Sequence, residues 1–487
     1  MSRKRIIILS IVCVAIIGAG ILLWNGLASP TRIAFVNYQA INLGQISKAN
    51  DNSFVKIDEL AVDKLDGADK YDMVFVNGMG LRLTDEQRRK LVDAAEAGTP
   101  VITTAATNPQ NMIMSVDSVD CEFLKQYLVG GRNNYRNMLR YVRKFIDGKK
   151  LYVDEPQDPA AATSSLLYYP FGDENLDFSS VGEYDRWLKS HGKWIESAPR
   201  IILTGQMGVS DSLVAQLERT GNIVYPVNVI QSFIAKGHAD SIDASAVINM
   251  AHGRMGDEVV RWLTAQNIPL FAPVNANRDY NEWMADKMGM NGGFMSQSIV
   301  TPEIDGAIRP YTLFAHFEGR DGLPYVEAIP GRLDDFVATV NNYTALSRKD
   351  NKDKKLAIFY FKGPGQSALV AEGMEVAPSL FNLLSRLKDE GYQVNGLPAD
   401  AAALEKMIAD NGKVFNEYAV GAQTDFVKNH NPQLVARQDY DHWCESSLSP
   451  AMRNEIDIVD GDFPGHGLKD DNGNLALALL EFGNVVL

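Results

Sequence analysis

Short runs of β-branched and aromatic residues alternate with amphipathic stretches of helical period along most of this chain, the pattern of parallel α/β layers. The first runs are Arg32–Asn37, Met73–Asn77 and Pro100–Thr104. Between the last two, Thr84 stands before a helical stretch with Gln87 at its third position and Gly98 beyond its end, which predicts a capped helix. The alternation resumes after Pro199. A strand Arg200–Thr204, a helix Asp211–Thr220 closed by Gly221 and a strand Asn222–Pro226 are followed by a short strand Ala246–Asn249, a helix Asp257–Gln266 and a strand Pro269–Pro273. Strand, helix and strand at this spacing predict an α/β protein of several doubly wound, flavodoxin-like parallel sheets.

Breaks in the pattern suggest boundaries. Residues 31–150 read as a first α/β domain, 151–198 as a connecting segment rich in Ala, Pro, Ser and Tyr, and 199–346 as a second α/β domain. Ser347–Lys355 is a polar, charged linker. A third α/β domain over 356–487 opens with a strand Leu356–Phe361 and a helix Ser379–Glu390 closed by Gly391. The chain stops on the apolar run Val485–Leu487, so this domain is expected to be truncated.

The first thirty residues break the pattern differently. Arg3, Lys4 and Arg5 precede an uncharged apolar stretch from Ile6 to Trp24, long enough to cross a bilayer as one helix. Basic residues on its N-terminal flank predict a single-pass anchor in the cytoplasmic membrane with the body on the periplasmic side. A cleaved signal peptide ending near Gly26–Ala28 is the competing reading and exports the body equally.

Charge and cysteines narrow the class. The net charge of −14 and the lack of any basic run beyond Ser2–Arg5 argue against a nucleic-acid partner. Cys13, Cys121 and Cys444 are too scattered to define a disulfide framework. Gly363–Ser367 has neither the length nor the lysine of a nucleotide loop, and Asn77–Gly80 lacks the third glycine of a dinucleotide fingerprint, so no nucleotide site is expected in this chain.

Four segments carry a family resemblance. Lys355–Gly365 (KLAIFYFKGPG) with Val376–Val394 (VAPSLFNLLSRLKDEGYQV), Ser180–Leu188 (SVGEYDRWL), Thr301–Pro310 (TPEIDGAIRP) and Phe482–Val485 (FGNV) occur in the order found in the large subunits of the CobN/magnesium-chelatase family. The chain resembles the N-terminal part of such a subunit from about residue 150 onward, and in layout it is similar to the membrane-anchored, HmuS-type haem dechelatases. The resemblance implies a tetrapyrrole substrate, haem or another macrocycle. It implies three possible chemistries: iron removal from haem, cobalt insertion into a corrin, or magnesium insertion into protoporphyrin. The insertion enzymes depend on cytosolic ATPase subunits, which an exported body cannot meet. The anchor therefore favours iron removal for iron acquisition, with haem-uptake proteins as partners. Cobaltochelatase-type insertion and a non-catalytic haem- or corrin-binding module stay open as alternatives. In relatives much of the catalytic core follows the FGNV segment, which implies that this stretch alone lacks part of it.

Metal exchange in a tetrapyrrole needs a dry cleft, a group exchanging protons with the pyrrole nitrogens and a ligand for the metal in transit. His252 and Arg254 follow the strand Ala246–Asn249, where open sheets bind ligands, so His252 is a candidate metal ligand and Arg254 a candidate propionate partner. A surface turn is the other reading of this loop. Glu303 and Asp305 offer two carboxylates for proton transfer, although Asp305–Gly306 is also an ordinary turn. His316 downstream and His466, on the glycine-flanked loop Pro464–Gly467, complete the candidates for tetrapyrrole binding.

Overall fold

The computed structural model describes residues 20, 24, 26–129, 131–159, 166–170, 176–205, 211–319, 322–360, 370–371, 374–411, 420–430 and 432–487. They form two compact units, 1–344 and 345–487. Most of the expected anchor Ile6–Trp24 lies outside the described residues, and among those described no helix is long and apolar enough to cross a membrane. The loop Gly363–Ser367 lies outside them as well.

The first unit holds two sheets. Strands β1 (Thr31–Val36), β2 (Val55–Glu59), β3 (Met73–Asn77) and β4 (Val101–Thr104) are all parallel, in the order β2-β1-β3-β4. β1 is buried on both faces, which is why its sequence reads as an almost continuous apolar run. On one face Ile33, Phe35 and Phe75 pack under helices Ala40–Ala49, Ser118–Tyr127 and Arg132–Tyr141. On the other, Ala34, Val36 and Val74 meet Leu65 and Leu91. Each fully buried Phe or Leu contributes about 1.5–3 kcal/mol. The helix Asp85–Glu96 starts on the expected capping box: the Gln87 amide donates to Thr84 Oγ1 (3.2 Å) and the Thr84 amide to Gln87 Oε1 (3.0 Å).

A small hairpin, β5 (Leu167–Tyr169) with β6 (Leu176–Phe178), leads to the helix Val181–Ser190. These described residues are more than a connection. Leu167, Tyr169, Phe178 and Tyr184 are buried in the core of the second sheet, because four large apolar side chains in so short a stretch need a shared interior.

The second sheet contains β7 (Arg200–Thr204), β8 (Ile223–Pro226), β9 (Ala246–Asn249), β10 (Leu270–Asp279), β11 (Ala307–Glu318) and β12 (Pro324–Ala328), in the order β12-β11-β10-β9-β7-β8. Only β12, on the edge, is antiparallel. Helices cover both faces, with Val181–Ser190 and Asp257–Gln266 on one and Asp211–Arg219 and Arg332–Arg348 on the other. The two sheets of this unit meet through Lys48, which pairs with Glu327, and through Ser47 Oγ, 2.8 Å from Tyr325 Oη.

The second unit corrects an expectation. Its described strands do not form a doubly wound sheet: Leu356–Ala357 pairs in parallel with Val485–Val486, which pairs antiparallel with Glu481–Phe482. Only the two residues Gly483 and Asn484 separate the last two strands, and so short a link closes a hairpin rather than a parallel crossover. Of the expected strand Leu356–Phe361, Ile358 is the last described residue that pairs, its amide donating to Val486 O (2.8 Å), and Phe361 lies outside the described residues. Helices Val376–Asp389 and Ala401–Asn411 cover this sheet around Leu380, Leu384 and Leu404.

Candidate functional site

In the six-stranded sheet the strand order reverses between β7 and β9, and doubly wound sheets take ligands at the carboxyl ends of such a pair. The loop after β7 begins at Gly205 and the loop after β9 runs through 250–256. Gly205 has φ +70°, and a Cβ there would collide with Asn249 Oδ1 and the Ala251 backbone. Only glycine lets the two loops approach so closely. Asn249 Oδ1 accepts the Ala251 amide (3.1 Å), and the Met250 amide donates to Thr204 O (2.9 Å), which fixes the start of the second loop.

His252 is half-buried on that loop. Its Nδ1 lies 3.0 Å from Ser298 Oγ, and its ring meets the Phe294 ring edge-on at 5.5 Å. The Gly253 amide donates to Gln297 O (3.1 Å). Ser298 is buried on the π-helical turn Ser296–Val300, a helix form that often marks functional positions. Burial lowers the His252 pKa below its ordinary 6.5, so the ring is neutral at pH 7. With its proton on Nδ1 and directed at Ser298, Nε2 carries a lone pair that can bind a metal.

Two candidate pairs, far apart in sequence, converge here. Arg254 turns its Nε to the Asp305 carboxylate and places Nη2 2.9 Å from Asp257. Asp305, 2 % exposed, accepts the Met255 amide through its other oxygen (2.5 Å). These partners give both residues a structural role. The buried carboxylate clasps the loop after β9 to the segment before β11. Arg254 is turned to that clasp, and the carboxylate raises its pKa above the ordinary value. Glu303 stands exposed on the helix Thr301–Ile304, one turn from the clasp.

The remaining candidates lie elsewhere. His316 is near the far end of β11, in register with Asp279 and Val326; burial lowers its pKa, against a smaller upward pull from Asp279. His466 is exposed in the second unit, on the rim of a cavity of about 230 Å3 lined also by Arg437, Tyr440, Cys444 and Asp457. There Arg437 pairs with Asp441 (3.0 Å) and Asp462 (2.8 Å), and hydrogen bonding to Cys444 pushes the Tyr440 phenol up. Sequence reading missed this cavity and Ser298 alike. The Met- and aromatic-rich stretch Trp283–Met295 was the one available signal for Ser298, because it marks an insertion before β11 with more apolar residues than a connection needs. Among the described residues no group of three or more His, Cys, Asp or Glu could hold a metal ion by itself.

Residues 125–487 match the CobN/Magnesium Chelatase family. The chain belongs to this family. It is similar to an uncharacterized protein of Methanocaldococcus jannaschii, 23 % identical over 412 residues, covering 76 % of this chain and 32 % of that protein. It is also similar to the chloroplastic magnesium-chelatase subunit ChlH of Oryza sativa, 24 % identical over 331 residues, covering 60 % of this chain and 23 % of that subunit. Its fold is that of the catalytic subunit of cobaltochelatase from Mycobacterium tuberculosis, with a TM-score of 0.67 and 17 % identity over 94 % of this chain and 38 % of that one. The chain therefore spans less than two-fifths of the length of each of these relatives.

Proposed function

We propose that this family member takes part in metal exchange on a tetrapyrrole, with the crevice at β7 and β9 contributing His252 as a ligand of the metal in transit. The observation that carries the reading is the family match over residues 125–487, which includes the entire six-stranded sheet. A neutral imidazole held by a buried hydroxyl is suited to ligate a metal and then release it, since no charge has to be moved. Arg254 and Asp305 keep the loop in place while the metal changes partners.

The direction we propose is iron removal from haem by a membrane-anchored protein whose body is outside the cytoplasm. Its support is the uncharged run Ile6–Trp24 behind Arg3, Lys4 and Arg5, which would place the body away from cytosolic ATP. Cobalt insertion into a corrin is the competing direction, and it requires the opposite topology.

Haem titration of the full-length protein should give a Soret band that shifts in His252→Ala. Incubation with haem without ATP should yield free iron and the metal-free porphyrin. An unchanged spectrum in His252→Ala would remove the site, and strictly ATP-dependent cobalt insertion would reverse the direction.

A further inference from the structure

The four-stranded sheet grips the chain where it enters from the N-terminal run. Arg143 is fully buried, and its Nη1 donates to Ser29 O (2.9 Å) and Thr31 Oγ1 (3.0 Å). Its Nη2 and Nε reach Leu151 O at 2.9 and 3.3 Å. Lys149, also buried, donates to Pro30 O (3.2 Å) and pairs with Asp147 (2.8 Å). Residues 29–31 are thus tied side by side to 143–151. The chain leaves the sheet toward its apolar run in a direction that the body dictates, which a loose tether would not need.

Around that exit lies an aromatic patch. Trp24 packs edge-on against Phe54 at 6.5 Å, and Phe54 stacks on Tyr152 at 4.6 Å. Trp24 is nonetheless 50 % exposed and Tyr152 60 %, with Leu27 and Leu151 exposed beside them. Tyr152 has φ +58°, a left-handed backbone that costs a non-glycine residue energy, and the Asn52 side chain holds it there through Tyr152 O (2.7 Å). Single exposed apolar residues are ordinary, but a contiguous group with a held ring marks a contact surface. No charged residue stands between Ile6 and Trp24, so the patch begins where that apolar run ends.

We infer that Trp24, Leu27, Leu151 and Tyr152 form a membrane-contact surface that rests at headgroup level on a phospholipid bilayer and sets the first sheet against it. The inference rests on the reading of Ile6–Trp24 as an anchor. Trp and Tyr favour that level because their rings are apolar at one end and hydrogen-bonding at the other. The grip on residues 29–31 turns the anchor into a fixed mount.

The test uses the full chain, with Cys13→Ala, in nanodiscs of phosphatidylethanolamine and phosphatidylglycerol. Nitroxides are placed at Leu151→Cys and Tyr152→Cys, with Glu258→Cys on the exposed side of its helix as the water reference. The ratio of oxygen to nickel-chelate accessibility should be several-fold higher at 151 and 152 than at 258. Equal ratios in protein that comigrates with the nanodiscs would overturn the surface while keeping the anchor, and would leave the patch to water or a protein partner. Protein that fails to comigrate would overturn the anchor reading and this inference with it.

Discussion

The two sheets of the first unit share a strand order and differ at the point where that order reverses. In the four-stranded sheet the crevice between β1 and β3 is closed from within: Asn37, at φ +60°, spans it with its amide on Asn77 O (2.7 Å) and Met79 O (3.2 Å). In the six-stranded sheet the equivalent crevice carries His252, backed by a long insertion between β10 and β11 that supplies Phe294, Ser298 and Asp305. One topology is thus used twice, once with a side chain bridging the two loops and once with a half-buried histidine on one of them. The fold supplies the crevice, and the loops decide whether it does chemistry.

The sharpest test of that division is Arg143→Ala. Its guanidinium serves four backbone or hydroxyl acceptors in the first sheet and touches nothing near His252. Removing it leaves buried carbonyls unpaired and a cavity behind, so unfolding in urea should show a loss of about 3–5 kcal/mol. Haem affinity per folded molecule should be unchanged. A weaker haem complex in the folded fraction would mean that the two sheets are coupled.

Gly205→Ala acts directly on the crevice of the second sheet. The added methyl meets Asn249 and Ala251 at a left-handed backbone position, and overpacking of this kind costs about 1–3 kcal/mol. Because the displaced neighbour is the loop of His252, the Soret position should move as well, which Arg143→Ala should not cause. Asp305→Ala removes the carboxylate from the buried Met255 amide, at a cost of about 1–3 kcal/mol, read as a lower urea midpoint. If Asp305 were instead a proton-transfer group, Asp305→Asn would keep the stability and lose turnover.

What could be read from the sequence follows the reach of each interaction. Seven of the ten strands in the two sheets and the Thr84–Gln87 box are named by local periodicity and spacing, whereas β2, β11 and β12 are not. The His252 loop was also legible, since it follows β9 directly. Its partners were not. Asp305 meets Arg254 across 51 residues and Ser298 meets His252 across 46, and no local pattern encodes such pairings. The FGNV segment shows the opposite limit. Gly483, at φ +66°, makes a tight turn, while the Asn484 amide donates to Gln393 O (2.9 Å) and its side chain to Lys352 O (2.9 Å). In this unit the motif therefore has a structural role, and its conspicuousness in the sequence says nothing about catalysis.

The titration of His252 gives a finer contrast. Its folded pKa is lowered by burial, so the unfolded chain takes up a proton first as pH falls. The neutral ring's contribution to stability is therefore complete above about 6.5 and is lost as pH drops through the folded value. Ligation of haem iron by His252 should persist to lower pH than ligation by an ordinary surface histidine, because burial already disfavours the protonated ring. His252→Ala should abolish this step in the Soret titration, while variants of the four-stranded sheet should keep it.

The smallest expected effect separates a positioned ligand from a merely buried one. Ser298→Ala deletes a single hydrogen bond, worth about 0.5–1.5 kcal/mol, at a site where the Phe294 ring still packs against the imidazole. Stability and haem affinity should therefore change by less than about tenfold in the equilibrium constant. The Soret maximum and the electron paramagnetic resonance of the ferric complex should nevertheless shift, because the proton on Nδ1 loses its acceptor and Nε2 becomes a weaker donor to the metal. Ser298→Thr, which restores a hydroxyl at the same position, should return both spectra. If Ser298→Ala leaves them unchanged while His252→Ala alters them, the imidazole is oriented by packing against Phe294 alone. If neither variant alters them, the crevice of the second sheet is as silent as that of the first.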